Sequence, residues 1–298
     1  MIDFIKYRWA CAVFTIVLFA ASIGAYFYKV NTRGYAFTYS VDFTGGAQAL
    51  LRFSEPVSSI KLREILEHNG WANPVTREFS ANEVLVRVKI DDKIATDAKD
   101  VGEKMRTVIA QELPGNSVSI LQSEVVGPGV GEALRWNSIL AVIIALISIL
   151  VYIAVRFRSM SFAVGAVVAL AHDAFIMLAA FLIFDREISI VVIGAVLAVL
   201  GYSINDTIVI FARIRDNLTK MRGAPIQEIV NVSINQTLRR TLLTSFFTAL
   251  SVVAMLVLGG EALRDFSLAL LVGIVFGTYS SIYIASPIMM LLYKEKQR

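Results

Sequence analysis

The amino-acid sequence predicts an α-helical integral membrane protein of six transmembrane helices, with a small α+β domain of ferredoxin-like type outside the bilayer. Three observations lead there. The chain is 298 residues long, 56% hydrophobic and 17% charged, with a mean hydropathy of +0.66; soluble domains run at roughly 45–50% apolar and about 25% charged. Six stretches, 9–28, 134–155, 160–184, 188–212, 242–258 and 266–293, come close to the ~20 apolar residues that a spanning helix needs. Between the first two, residues 46–126 change to mixed charge and short alternating runs. This composition excludes a disordered chain and a coiled coil. A single cysteine, Cys11 in an apolar run, excludes a disulfide scaffold and gives redox chemistry no support.

The first span is continuous and longer than the ~7–15-residue core of a cleaved signal peptide, so it reads as a retained anchor. Lys and Arg then orient the chain. Lys6 and Arg8 precede span one, and Arg156 and Arg158 join spans two and three. Arg213, Arg215, Lys220, Arg222, Arg239 and Arg240 lie between spans four and five, and Lys294, Lys296 and Arg298 end the chain; the opposite short loops hold only Arg186 and Arg264. Both termini are therefore expected in the cytoplasm. The net charge of +4 orients the chain and does not mark a nucleic-acid partner. The expected organisation is 1–28 for the N-terminal end and first helix, 29–132 for an extracytoplasmic domain, and 133–298 for a five-helix bundle.

Within the outer domain, strands are expected at 47–53, 74–79, 83–89 and 117–126, and helices at 58–69 and 94–113. The order βαββαβ is that of the split βαβ arrangement, with helices on one face of a small antiparallel sheet. The charges of this domain nearly cancel, which leaves no nucleic-acid patch. His68 has no second ligand at metal spacing. Two Gly-rich segments, 41–46 and 126–131, flank the domain. Neither carries the Lys-Ser/Thr of a phosphate loop, so Gly45, Gly46, Gly127, Pro128 and Gly129 are read as hinges.

A charged side chain in hydrocarbon costs at least ~2.5–3.5 kcal/mol, which makes one that persists a functional candidate. His172 with Asp173 in span three, Asp206 in span four and Arg240 at the start of span five qualify. Asp206 sits among Tyr202, Asn205 and other polar residues, roughly 9 Å from the end of its apolar run at ~1.5 Å per residue. If the fifth helix begins near Ile234, Arg240 reaches the same depth and an ion pair is allowed. Thr237, Thr241, Thr244, Thr248 and Ser251 follow at spacings of one helical face, as a proton wire would need. The alternative is a fixed pair holding helices together, with the hydroxyls bonding their own carbonyls. For His172 and Asp173, an interhelical hydrogen bond competes with proton transfer. Gly273, Gly277 and Ser281 repeat every fourth residue in span six, a small-residue packing seam. Enzyme readings find no support: His172 lacks the His-Glu-x-x-His pattern of a zinc protease, and two histidines in different compartments build no nucleophilic triad. No catalytic residue, metal or cofactor is expected.

Several stretches carry a family resemblance: VDFTGG at 41–46, VGP at 126–128 with Val130-Gly131, LAHD at 170–173, GYSINDTIVI at 201–210, NQTL at 235–238 with Arg240-Thr241, and GTYSSIY at 277–283 with Ser286-Pro287. In these the chain resembles the SecF family, the smaller membrane subunits of the SecD–SecF accessory complex of bacterial protein translocases. The resemblance implies a resistance-nodulation-division fold, a heterodimer with SecD beside the SecY-E-G channel and YajC, unfolded preprotein as substrate, and a place in the lipid of the bacterial inner membrane. It puts the family's essential aspartate on Asp206 and its essential arginine on Arg240, in a subunit that couples proton flow to late translocation and release of preproteins. The chain departs from the family pattern at Ala212, where an aspartate is usual, and at Arg239, where a serine is usual. A small-molecule or lipid exporter of the same superfamily and a purely structural channel scaffold are the rival readings.

Overall fold

A computed structural model describes residues 1–71, 74–89 and 98–293. The start of the second outer helix, expected from residue 94, and the terminal Lys294, Lys296 and Arg298 lie outside them. The chain divides into two compact units, Met1–Thr38 with Ile139–Arg298, and Tyr39–Ser138.

Among the described residues six helices are long and apolar enough to cross a membrane. They are α1 (Arg8–Arg33), α5 (Pro128–Phe157), α6 (Met160–Ile183), α7 (Ile190–Lys220), α8 (Ile226–Leu258) and a composite of α9 (Glu261–Ser280), a π-helical turn (Ser281–Ala285) and α10 (Ser286–Leu292). α1 stops at Gly34, whose φ of 80° suits a residue without Cβ. The composite helix changes pitch before Pro287, which has no N–H to continue an α-helical ladder; Ser286 Oγ there donates to the Ser281 carbonyl at 2.9 Å.

Burial separates interior from periphery. In α6, 67% of the apolar window is buried inside the protein, and in α1 only 6%. α6, α7 and α9 thus form the centre, while α1, α5 and α8 turn much of their surface outward. Phe157, Phe162 and Phe211 stack at one end of the core, with ring centroids 5.0–6.1 Å apart, and Phe4 and Ile5 join the same cluster.

The helices α7 and α8 overrun their apolar stretches. Residues 213–220 and 226–241, expected from their charge to lie in a connection, are helical, and only 221–225 link the two. The reason is that they include good helix formers such as Arg, Lys, Gln and Glu and that their buried side is intact: Ile214, Asn217, Ile229, Val230, Ser233 and Ile234 are all buried. Pro225 then sets the start of α8. The fifth helix therefore begins at Ile226 and not near Ile234.

The second unit holds α2 (Val41–Thr44), β1 (Gly46–Phe53), α3 (Ser59–His68), β2 (Val75–Ser80), β3 (Glu83–Val88), α4 (Ala98–Glu112) and β4 (Val118–Val126). The sheet order is β2-β3-β1-β4 with every pair antiparallel. Alternate residues Ala47, Ala49, Leu51 and Phe53 of β1 and Val84, Val86 and Val88 of β3 meet Leu62, Leu66, Met105 and Ile109 of the two long helices. Ser58 caps α3 by accepting from Ile60 N at 3.3 Å.

The two Gly-rich joints lie against each other within this unit. Gly46 pairs with Val126, and a Cβ on Gly131 would lie 2.9 Å from Gly45 N. The first joint contains a helical turn and runs into β1 at Gly46, and Pro128 and Gly129 already belong to α5; Gly45 and Gly46 are buried, whereas Gly127 and Gly129 are exposed. Proline at the first helical position forfeits an N–H that no carbonyl would have received.

Candidate functional site

Asp206 lies on the buried side of α7, 4% exposed, with Ser203 and Thr207 beside it. Its Oδ2 accepts a long hydrogen bond, 3.4 Å, from Ser245 Oγ on α8. Ser245 also shares a hydrogen with Thr278 Oγ1 of α9 at 2.7 Å. Tyr202 OH approaches Ser245 Oγ at 3.5 Å and Thr248 Oγ1 at 3.3 Å. A carboxyl and a short run of hydroxyls thus join α7, α8 and α9.

The expected ion pair is absent. No cation lies within the 4.0 Å of an ion pair from Asp206 among the described residues, and Arg240 is exposed, as is Arg239. Arg240 differs from the α8 residue that does meet Asp206 in both height and direction. Ser245 and Arg240 are five residues apart, about 140° around a helix of 3.6 residues per turn, and α8 turns its serine toward Asp206.

The hydroxyl stripe also differs from a wire. Thr237, Thr244, Thr248 and Ser251 each donate to a carbonyl of their own helix, at 2.8–3.1 Å. Thr237 and Thr241 are buried, while Thr244 and Ser251 face outward. Buried Thr241 Oγ1 has no hydrogen-bond partner among the described residues.

A second buried carboxyl stands in the middle of α6. Asp173 is fully buried. Its Oδ2 accepts from Ser203 Oγ of α7 at 2.6 Å and from Ser280 Oγ of α9 at 2.9 Å, and its Oδ1 meets His172 Nδ1 at 3.1 Å. The imidazole stacks on Phe19, 5.7 Å between centroids, with Phe276 and Tyr279 around it. Ser203 is one turn before Asp206, so a single turn of α7 carries one group of each centre. Asn205 points outward.

What brings these helices close is the glycine seam. A Cβ on Gly277 would meet Ser203 Cβ and Oγ at 3.0 Å, and one on Gly273 would meet both γ-carbons of Val199 at 2.4–2.5 Å. The seam therefore faces α7 of the same chain. Its third member, Ser281, lies in the π turn and donates to the Thr278 carbonyl at 3.0 Å. Ser203, Ser245, Thr278 and Ser280 are the site residues that sequence reasoning missed. Ser245 continues Thr237 and Thr241 at intervals of four, a signal equal in strength to the one chosen. No group of three or more His, Cys, Asp or Glu able to hold a metal occurs among the described residues.

The likeness to known proteins spans both units. The family model for the C-terminal part of the SecD/SecF protein export membrane proteins matches residues 107–295. The protein translocase subunit SecF of Pseudomonas aeruginosa is 40% identical over 292 residues, which cover 98% of this chain and 91% of that one. The SecDF subunit of Thermus thermophilus is 41% identical over 274 residues, 91% of this chain and 36% of its own length. The crystal structure of SecDF from that organism superposes with a TM-score of 0.83 at 40% identity, covering 96% of this chain and 38% of the other. Pattern, bundle and sheet agree with these relatives along nearly the whole chain, and the protein belongs to the SecD/SecF family of protein export membrane proteins.

Proposed function

We infer that this chain is the SecF-type subunit of Sec-dependent protein export, and that it couples proton-motive force to late translocation by protonation of Asp206. The observation that carries the coupling is a carboxyl buried between three helices with one long hydroxyl contact and no ion-pair partner. In a dry interior an ionised carboxylate must be held by a counter-charge, hydrogen bonds or water, whereas the neutral acid needs far less. Loss of the proton therefore favours any rearrangement that brings Arg240 or water to Asp206. Turning α8 by about 140° and sliding it by ~7.5 Å exchanges Ser245 for Arg240. Asp173 bonds α6, α7 and α9 together and gives the moving helix a fixed base.

The relative named SecDF is a longer single chain of which this one matches 36%. That supports a SecD-type partner for this chain. The SecY-E-G channel and YajC are the further partners in this reading, unfolded preprotein is the substrate, and no covalent chemistry is involved. In this reading both termini lie in the cytoplasm of an inner-membrane protein with 29–132 outside, which the basic residues of the ends and connections support.

The test is Asp206→Asn, assayed for preprotein translocation with and without proton-motive force and for assembly with the partner subunit. Assembly at wild-type level with loss of the force-dependent increment is expected. Undiminished force-stimulated export in the assembled variant refutes the reading.

A further inference from the structure

At the end of the bundle where the chain begins, an apolar groove and a polar cleft meet. The groove, about 480 Å³, runs between α1, α6 and α10 along Ile16, Phe19, Val168, Phe175, Ile288 and Leu291. The cleft, about 460 Å³, is bounded by Asp3, Lys6, Gln227, Glu228 and Asn231, and the two share Arg8 and Trp9 as a common wall. From Arg8 to Phe19 is eleven residues of α1, ~16 Å at ~1.5 Å each, about half of the ~30 Å hydrocarbon core. The groove is one leaflet deep and opens at its mouth onto charge.

That charge is of both signs and is not consumed internally. Among the described residues neither Lys6, Arg8, Asp3 nor Glu228 forms an ion pair within 4.0 Å: the Arg8 guanidinium lies over the neighbouring Trp9 ring at 5.8 Å, and Asp3 Oδ1 accepts from Lys6 N at 3.1 Å. The cleft is also held in place. Ile2 N and Phe4 N donate to the side chains of Asn235 and Asn231 at 2.9 and 2.8 Å, and Phe4 and Ile5 are buried. The segment carrying Asp3 and Lys6 is thereby fixed against α8.

We propose that groove and cleft together form a site for one zwitterionic aminophospholipid of the phosphatidylethanolamine type. The acyl chain fills the groove, the phosphate meets Arg8 and Lys6, and the primary ammonium meets Glu228 and Asp3. Trp9 sits at the interfacial level that tryptophan favours. A helix of another protein lying along the groove would leave these four charges unmatched. The proposal rests on the membrane-spanning reading of the bundle and not on proton coupling.

The test reconstitutes the full chain in vesicles of equal parts phosphatidylethanolamine, phosphatidylcholine and phosphatidylglycerol. The protein is then extracted in mild detergent, and retained lipids are counted by native mass spectrometry. One phosphatidylethanolamine per chain is expected, retained about tenfold over either other lipid. Ile16→Trp fills the groove from a position already 65% exposed, which spares the fold, and it and Arg8→Gln should each lower retention about tenfold. Glu228→Gln should abolish the preference over phosphatidylglycerol, and Asp206→Asn should leave retention unchanged. Equal or reversed headgroup order, retention indifferent to Ile16→Trp and Arg8→Gln, or a co-purifying protein helix in place of lipid overturns it.

Discussion

Gly273→Ala adds one methyl group at the tightest point between α7 and α9. The new Cβ would lie 2.4 Å from Val199 Cγ2, 2.5 Å from Cγ1 and 3.0 Å from Cβ, where ordinary contact begins near 3.4 Å. Val199 is fully buried, and a valine in a helix has one strongly preferred rotamer. Swinging it aside therefore gives no relief, since both branches clash. The helices must separate by 3.4 − 2.4, about 1 Å, at this level. Overpacking of this kind costs about 1–3 kcal/mol. Ser203, one turn along α7, and Ser280 of α9 both bond Asp173 of α6, at 2.6 and 2.9 Å, so parting α7 from α9 makes the two bonds compete for that carboxylate. At about 2–4 °C per kcal/mol for a body of this size, thermal unfolding in detergent should begin about 2–12 °C earlier. Val199→Ala removes both γ-carbons, so the double variant should recover about 1 kcal/mol or more relative to the sum of the single effects. A Gly273→Ala protein that melts with the wild type, or a strictly additive double variant, refutes the close-contact argument.

The outer end of α1 offers a pH test. Lys29 Nζ and Arg33 Nη1 each reach Asp185 at 2.8 Å, and the Lys29 hydrogen bond, then that of Arg33, holds the Asp185 carboxyl below its usual range. Such a group stabilises the fold above the unfolded value of ~3.9 and ceases to as pH falls through the lower folded value. Asp185 is 47% exposed, so Asp185→Asn should cost at most about 1 kcal/mol at pH 7, with the gap in melting temperature closing below about pH 4; a gap constant over that range is the contrary result. Ser245→Ala should abolish the force-dependent increment of export in assembled protein, whereas Thr244→Ala, which removes only a bond to its own helix, should change export little; equal effects would deny Ser245 a special role. In the second unit, Gly46 has φ 125° and a Cβ there would meet the Val88 carbonyl at 2.7 Å, so Gly46→Ala should destabilise the full-length protein by about 2 kcal/mol or more and raise protease sensitivity between β1 and β3, and unchanged digestion would contradict it.

What could be read in advance follows from what a one-dimensional pattern fixes. The number of spans was legible because hydrocarbon forces ~20 apolar residues per crossing, and spacing along a helix because each residue rises by a constant amount. Rotation about the axis is not fixed by either rule. α8 presents Ser245 and not Arg240 to Asp206, because that rotation is set by the side that α8 buries, Ile234, Thr237, Thr241 and Ser245. Such contacts depend on two helices at once. The ends of α7 and α8 were hidden for a related reason: charge on one face hid the buried stripe of Ile214, Ile229, Val230 and Ile234 on the other.

Seen from the packing, the two carboxyl centres are not independent. Ser203 bonds Asp173 and lies a turn from Asp206, while Thr278 and Ser280, two residues apart on α9, serve Ser245 and Asp173 respectively. Any displacement of α7 along α9 that alters one centre must strain the other. The glycine seam keeps both sets of hydroxyls within reach, so its closeness is part of the proposed relay as well as of the fold. Val199 and Gly273 touch neither carboxyl, and a force-stimulated export defect in Gly273→Ala that Val199→Ala repairs would show that the distance between α7 and α9 governs the response of Asp206.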